Sequence, residues 1–390
     1  MRLLFVVPPL AGHVNPLAAV AGECAARGDS VAWAGPRPVT ARLLGTRAGT
    51  VYPAGESSWF SLDRRPPELR GFAALKFLWE DYLVPLADAM VAGIASAVRD
   101  FRPDALVVDQ QALAGAVVAM RSGLPWATSA STSAELADPL GALPKVAGWI
   151  SGLQRDLRVR HGVAGAEPAA DLRFSPHLVL AFTTEALAGA PAVPIAGQLR
   201  YVGPALGDRP EAGGFDWDWL RPGTPLVLLT LGTANAEAGE RFLVAGKRAL
   251  EDLDRELQAV VVDPRGALAE GRRGSGVLVV RSIPQLSLLR RASAVICHAG
   301  HNTICESLGN GVPLVVAPIR DDQPVLAEQV VAAGAGLRLR FDRATPDDIR
   351  DALLRVLHDP TFTRAAARVR DSFHAAGGPA AAADALARLP

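Results

Sequence analysis

Two periodicities alternate along the chain. Short, largely apolar runs read as strands buried on both faces, and they fall at 3–7, 30–34, 105–108 and 126–129. Between them lie stretches with apolar residues three or four apart, read as helices at 15–27, 83–98 and 112–121. The first carries Leu17, Val20, Ala21 and Cys24 on one face and is closed by Gly28. The same alternation returns later, with strands predicted at 226–230, 258–262, 277–280, 294–297, 313–317 and 336–339. Helices are predicted near 236–253 and at 303–309, 323–332 and 346–357, with an Ala-rich helical tail broken at Gly377-Gly378-Pro379. Strands joined by helical crossovers imply parallel sheets covered on both faces, so the chain reads as an α/β protein with two doubly wound halves. Residues 206–224, rich in Gly and Pro, are the predicted linker. The expected domains are 1–205 and 225–375, with 376–390 a final helix.

Composition narrows the classes. The 390 residues suit two domains of ordinary size, and 49% hydrophobic residues with mean hydropathy +0.19 allow large cores. The formal net charge is zero and no Lys/Arg block stands out, which argues against a nucleic-acid partner. Cys24, Cys297 and Cys305 lack ligand spacing and read as buried thiols. The apolar run at 3–7 is too short for a signal-peptide core, and no uninterrupted apolar stretch of about 18 residues predicts a membrane span. The expectation is a cytoplasmic protein.

Candidate chemistry sits where strands end. Ala11-Gly12-His13-Val14-Asn15-Pro16 follows the first strand, and no G-x-G-x-x-G stands there, which argues against a nicotinamide site. A neutral His13 can accept a proton near neutral pH; the competing reading is a residue that only starts the helix. Asp109 ends the strand at 105–108 and can orient a histidine, or merely cap the next helix. Gly232-Thr233 offers a hydroxyl and an open backbone after the strand at 226–230. His298-Ala299-Gly300-His301-Asn302-Thr303 reads as strand, glycine turn and helix start, with Asn302 and Thr303 as caps, and so as a phosphate seat. His301 points to solvent or into the cleft. Glu306 is a sugar-hydroxyl acceptor or an ordinary solvated position. Asp321-Asp322-Gln323 supplies sugar-binding groups or a cap. The segment 54–79 is a surface connection or a lid, with Trp59, Phe60, Phe72, Phe77 and Trp79, and the helical region 140–160 with Trp149 is another wall. Asp216-Trp217-Asp218 spells a metal-binding pattern but lies in the linker and reads as a solvated turn.

The order G-H-x-x-P, a strand-ending Asp, L-G-T, P-Q, H-x-G-x-N-T-x-x-E, G-V-P and D-Q resembles the UDP-glycosyltransferase superfamily of GT-B fold, in particular the actinobacterial natural-product glycosyltransferases. The resemblance spans nearly the whole chain and is most specific from Ile283 to Gln323. It implies an inverting, metal-independent transferase of the hexosyltransferase type that needs no cofactor. The co-substrate would be a nucleotide-diphosphate sugar (dTDP or UDP), and the acceptor a hydrophobic small molecule. It implies His13 as general base with Asp109 as its partner. Gly232, Thr233, His298, Asn302 and Thr303 would hold the diphosphate, with Gly300 and His301 also at the donor. Ser282, Ile283 and Gln285 would lie at the nucleoside, Glu306 at the ribose, and Asp322 and Gln323 at the sugar. Trp59, Phe60, Phe77, Trp79 and Trp149 would face the acceptor. The final helix would cross back to the N-terminal half. Three positions depart from the pattern: Ser282 and His301 stand where plant relatives carry Trp, and Leu326 where Asn is frequent. The choice of base is left open, as is a homodimer. A sugar-nucleotide epimerase of the same fold, a non-catalytic auxiliary protein and a lipid or carotenoid acceptor stay open as alternatives.

Overall fold

Residues 1–55, 65–66, 68–163, 171–195, 197–206, 214–232, 239–268 and 276–390 are described by the structure, a computed structural model. One sheet consists of β1 (Arg2–Val6), β2 (Ser30–Gly35), β3 (Thr50–Pro53), β4 (Ala105–Asp109), β5 (Trp126–Ala130), β6 (Leu178–Ala181) and β7 (Gln198–Tyr201). The second consists of β8 (Leu226–Thr230), β9 (Gln258–Val262), β10 (Val277–Val280), β11 (Ala294–Cys297), β12 (Leu314–Val316) and β13 (Gly336–Arg338). Neighbouring strands run parallel throughout both sheets. The central strands are buried at every position, as continuous apolar runs require.

Strand order is β3-β2-β1-β4-β5-β6-β7 in the first sheet and β10-β9-β8-β11-β12-β13 in the second. The direction of winding therefore reverses between β1 and β4, and again between β8 and β11. A crevice opens beyond the strands' carboxyl ends at each reversal. The two doubly wound halves read from the sequence are both present.

Several elements differ from the sequence expectation. The first helix starts at Ala11, four residues early, so Gly12 and His13 lie within its first turn. Part of the supposed connection at 54–79 is helical: Gly71–Lys76 runs through a π-helical stretch, Phe77–Leu83, into Val84–Phe101. Pro85 has no N–H to offer the carbonyl four residues back, and the loosened π stretch lies just before it. The run Gly71–Phe101 is long and apolar enough to cross a membrane by length and composition alone. Leu86, Met90, Ile94 and Ala97 on it are buried in the first lobe's core, which accounts for its apolar face. Three strands, β3, β6 and β7, went unread.

The chain returns to its start at the end. Helix Pro360–Ala375 packs on the second lobe through Ala365, Ala366, Val369 and Phe373. Helix Gly378–Leu386 instead lies on helix Ala11–Ala26, with Ala382, Ala383 and Leu386 in the first lobe's core. Arg27 pairs with Asp384, and Gly378 N donates to Val202 O at 2.7 Å. The thiols of Cys24, Cys297 and Cys305 are all free and buried, as expected.

Candidate active site

His13 and Asp109 flank the first crevice. His13 Nδ1 lies 2.9 Å from Asp109 Oδ1 and 2.7 Å from Ser131 Oγ. A neutral imidazole has one N–H, and the carboxylate can only accept, so the network places the hydrogen on Nδ1 and leaves Nε2 as a free acceptor. Asp109 is 1% exposed, and its Oδ1 also accepts from Gln111 N at 2.9 Å. The helix Leu113–Ser122 has Ala112 at its N-cap and no side-chain cap bond, so Asp109 orients the ring and braces the turn at Gln111 rather than capping that helix. Burial disfavours a charged His13, but the charge and hydrogen bond of Asp109, with the charge of Asp322, outweigh it and raise the ring's pKa above 6.5.

The turn before His13 is tied to the other lobe. Pro16 lies inside the helix and cannot donate to the Gly12 carbonyl. Asn302 Nδ2 donates to that carbonyl at 3.3 Å. A Cβ on Gly12 would stand 3.7 Å from this nitrogen, in ordinary contact with it.

His298, Gly300 and Gly232 form the matching edge of the second crevice. Gly232 follows β8 at φ 67°, and Gly300 is the N-cap of helix His301–Gly309. A Cβ on Gly232 would lie 2.8 Å from His298 Cε1, and one on Gly300 2.4 Å from His298 Nε2. The imidazole is thus held between two glycine backbones. Ala299 makes the bend at φ 65°. Burial pushes His298 down to about 4, so it stays neutral and can donate or accept. Its Nδ1 has no partner among the described residues. The first backbone N–H groups of a nine-residue helix and its positive dipole end begin beside it. Asn302 and Thr303 are not the caps that the sequence suggested. Both lie inside the helix, and Asn302 is turned to Gly12 instead.

Next to this edge, Gln285 Nε2 donates to Glu306 Oε2 at 2.6 Å, and Glu306 is 5% exposed, so it is not a solvated helix position. Ile283 is half-buried against the second lobe's core, and Ser282 is exposed. Asp322 is pushed up to about 6, first by burial and then by Asp321, against a hydrogen bond from Thr132 and the nearness of His13. That link to Thr132 and His13 puts Asp322 across the cleft from the His13–Asp109 pair. Gln323 Oε1 accepts from Ile319 N at 2.8 Å and Arg320 N at 3.2 Å, which closes the turn after β12.

With this geometry in view, comparison with known proteins is informative. Residues 248–389 match the family described as Erythromycin biosynthesis protein CIII-like, C-terminal domain. The chain is 30% identical over 411 aligned residues to 4'-demethylrebeccamycin synthase of Lentzea aerocolonigenes, covering 96% of each chain. The chain belongs to the natural-product glycosyltransferases. Elloramycin glycosyltransferase of Streptomyces olivaceus is also 30% identical, with 100% of this chain and 97% of that one covered. The solved glycotransferase of kitacinnamycin superposes with TM-score 0.79 at 25% identity, over 100% of this chain and 99% of the other. The fold is GT-B, and the enzyme is a nucleotide-sugar-dependent glycosyltransferase.

Two residues expected at the substrates of this glycosyltransferase belong elsewhere. His301 is 7% exposed, with Nε2 3.1 Å from the Phe182 carbonyl of the first lobe and 3.5 Å from Cys305 Sγ. It sits in the joint between lobes, and burial pushes it to about 4. Trp79 lies on the long helical run, in its π-helical stretch, and is turned into the core, with Arg173 over its ring. Phe77 is half-buried, and Trp149 contacts Phe72 at a 5.6 Å ring distance and donates to Glu80 at 3.1 Å. Trp59, Phe60 and Thr233 lie outside the described residues. A cavity of about 340 Å³ opens in the first lobe, lined by apolar residues such as Leu136, Leu140 and Phe174 and by the charged Glu135, Asp171 and Arg173. Beside His13, Ser131 Oγ lies 2.7 Å from Nδ1, just after β5. That serine escaped the sequence reading, although the small polar run 128–133 at a strand's end was a signal for it. Asp216 forms a local turn, accepting from Asp218 N, and among the described residues no cluster of three or more His, Cys, Asp or Glu groups has metal-binding geometry.

Proposed function

We propose that this glycosyltransferase moves a sugar from a dTDP- or UDP-sugar to a hydroxyl of an apolar natural product, with inversion, and that His13 is the general base. One observation carries the reading. The pair His13–Asp109 stands at one crevice and the neutral His298 with its helix start at the other, and Asn302 bridges the two at 3.3 Å. In this mechanism the acceptor oxygen attacks the anomeric carbon from the face opposite the diphosphate. Its proton passes to His13 Nε2, while Asp109 stabilises the imidazolium. The bond between the anomeric carbon and the phosphate oxygen breaks, and the electron pair leaves with the nucleoside diphosphate. Negative charge then grows at the helix start, where backbone N–H groups and the His298 ring are already aimed. Glu306 binds the ribose, and Asp322 reads sugar hydroxyls. The apolar wall of the first lobe takes the acceptor. Names of relatives such as demethyllactenocin mycarosyltransferase of Streptomyces fradiae support an antibiotic-like acceptor.

The test is transfer from dTDP- and UDP-sugars to a panel of aglycones, with the anomeric configuration of the product read by NMR. His13→Ala is expected to lose roughly 10²–10⁴-fold in kcat/KM, about 2.7–5.4 kcal/mol. A retained configuration, or full transfer by the variant, would overturn the assignment. Sugar conversion without an acceptor would instead mark an epimerase.

A further inference from the structure

A two-pronged ion pair joins the lobes beside the turn that carries Asp322. Arg65 Nη1 and Nη2 donate to Asp321 Oδ1 and Oδ2 at 2.7 and 2.8 Å. The Arg65 side chain is 1% exposed. Arg65 belongs to the first lobe, whereas Asp321 lies in the second, between β12 and helix Gln323–Ala332. Asp321 stands at φ 59°, one of few non-glycine residues in the left-handed region. Such a conformation persists when its surroundings over-determine it. Gln323 braces the turn from within, through Ile319 N and Arg320 N. The Arg65 fork braces it from the opposite lobe. A buried guanidinium without its carboxylate would be an uncompensated charge, so the two are bound to each other's position. Parallel N–H bonds to both carboxylate oxygens also fix the plane of the Asp321 side chain, which a single bond would not. Arg65 Nε is buried without a partner among the described residues, so the clamp keeps an unused donor next to this turn.

We propose that Arg65 is a positioning residue for donor-sugar recognition. By clamping Asp321 it fixes the backbone that aims Asp322 and Gln323, so the acceptor lobe takes part in reading the sugar. The inference rests on the donor reading given above. It separates the two halves of the donor. The diphosphate meets His298 and the helix start, which share no hydrogen bond or ion pair with Arg65 among the described residues. The sugar meets the turn that Arg65 holds.

Calorimetric titration of UDP, dTDP and their sugars into the whole enzyme tests this. In Arg65→Ala, nucleoside diphosphate affinity is expected to stay within about twofold, while nucleotide-sugar affinity falls about tenfold or more. Arg65→Lys keeps the charge without the fork and should fall between. Asp321→Asn tolerates the same backbone and should show the same selective loss, and the double variant should lose no more than Arg65→Ala alone. Arg65→Lys and Asp321→Asn carry the test if Arg65→Ala does not fold. Equal weakening of diphosphate and nucleotide sugar would reduce the pair to a general lobe contact and overturn the proposal, as would unchanged sugar affinity. Failure of the unmodified enzyme to bind any nucleotide would instead sink the donor reading itself.

Discussion

His13 Nδ1 has two oxygen neighbours and one hydrogen to give, and the chemistry of the site follows from which of them takes it. The carboxylate does, so the pH behaviour of the enzyme should report on Asp109. Below its raised pKa the ring is protonated and cannot accept, so kcat/KM should fall on the acid side with a midpoint above 6.5. Asp109→Asn removes the charge and leaves the burial, so that midpoint should move below 6.5, with kcat reduced roughly 10²–10⁴-fold. A pH–rate profile decides it, and an unmoved midpoint would contradict the pairing. His13 and Asp109 were legible because one opens the helix after β1 and the other ends β4, two paired strands of one sheet, a relation that spacing reveals. Ser131 was not, because serine in a run of small residues carries no sign of which partner it meets. Asp322 offers a second check. Its carboxyl is raised to about 6 by burial, so the folded state binds its proton more tightly than the unfolded chain does. Its stabilising share is complete below about 3.8 and is lost as pH rises through about 6. Asp322→Asn should therefore raise the melting temperature at pH 7.5, by the equivalent of roughly 1–3 kcal/mol, while nucleotide-sugar binding weakens.

At the level of the element, β11, its turn and helix His301–Gly309 form one unit built around an imidazole. Strand and helix were readable from their runs. The caps were not, because Ala299 takes the left-handed bend and alanine gives no hint of it. Gly300, rather than Asn302, therefore starts the helix. Sterics make this unit brittle. Gly300→Ala places a Cβ only 2.4 Å from His298 Nε2, so the ring must shift out of its slot. Nucleoside diphosphate affinity should drop about tenfold or more with the fold retained, measured by titration and circular dichroism. Unchanged affinity would remove His298 from the phosphate site. The unread strands have their own reasons. β3 and β7 are edge strands with half-exposed patterns, and β3 ends in proline. β6 is a short apolar stretch that periodicity alone cannot tell from a helical turn. Trp79 was misplaced for a related reason: an aromatic in a supposed loop suggests a ligand wall, and only the continuous helix shows that it faces the core.

The whole molecule is two lobes sewn together at the cleft and again at the chain's end. His301 is one stitch, and its burial ties assembly to pH. His298 and His301 are both near 4 when folded and near 6.5 when unfolded, so stability is lost as pH falls from 6.5 toward 4. His301→Gln keeps a donor for the Phe182 carbonyl without the titration, and should shrink the drop in melting temperature between pH 7.5 and 5. An unchanged drop would contradict the burial argument. The duplicated winding order was legible, since both halves repeat the same alternation. How they meet was not, because Gly12–Asn302 and Ser133–Gln329 join residues far apart in sequence that no local pattern pairs. The helix Gly378–Leu386 sets a timetable as well as a contact. It covers helix Ala11–Ala26 from the far end of the chain. A ribosome adding about 5–20 residues per second leaves that early surface bare for roughly tens of seconds. The first lobe to be made is thus the last to be finished, and newly made chains have a long interval in which to find each other. A circular permutant that places residues 378–390 ahead of Met1 would close that interval at the outset, and its yield of dispersed protein would show how much the delay matters.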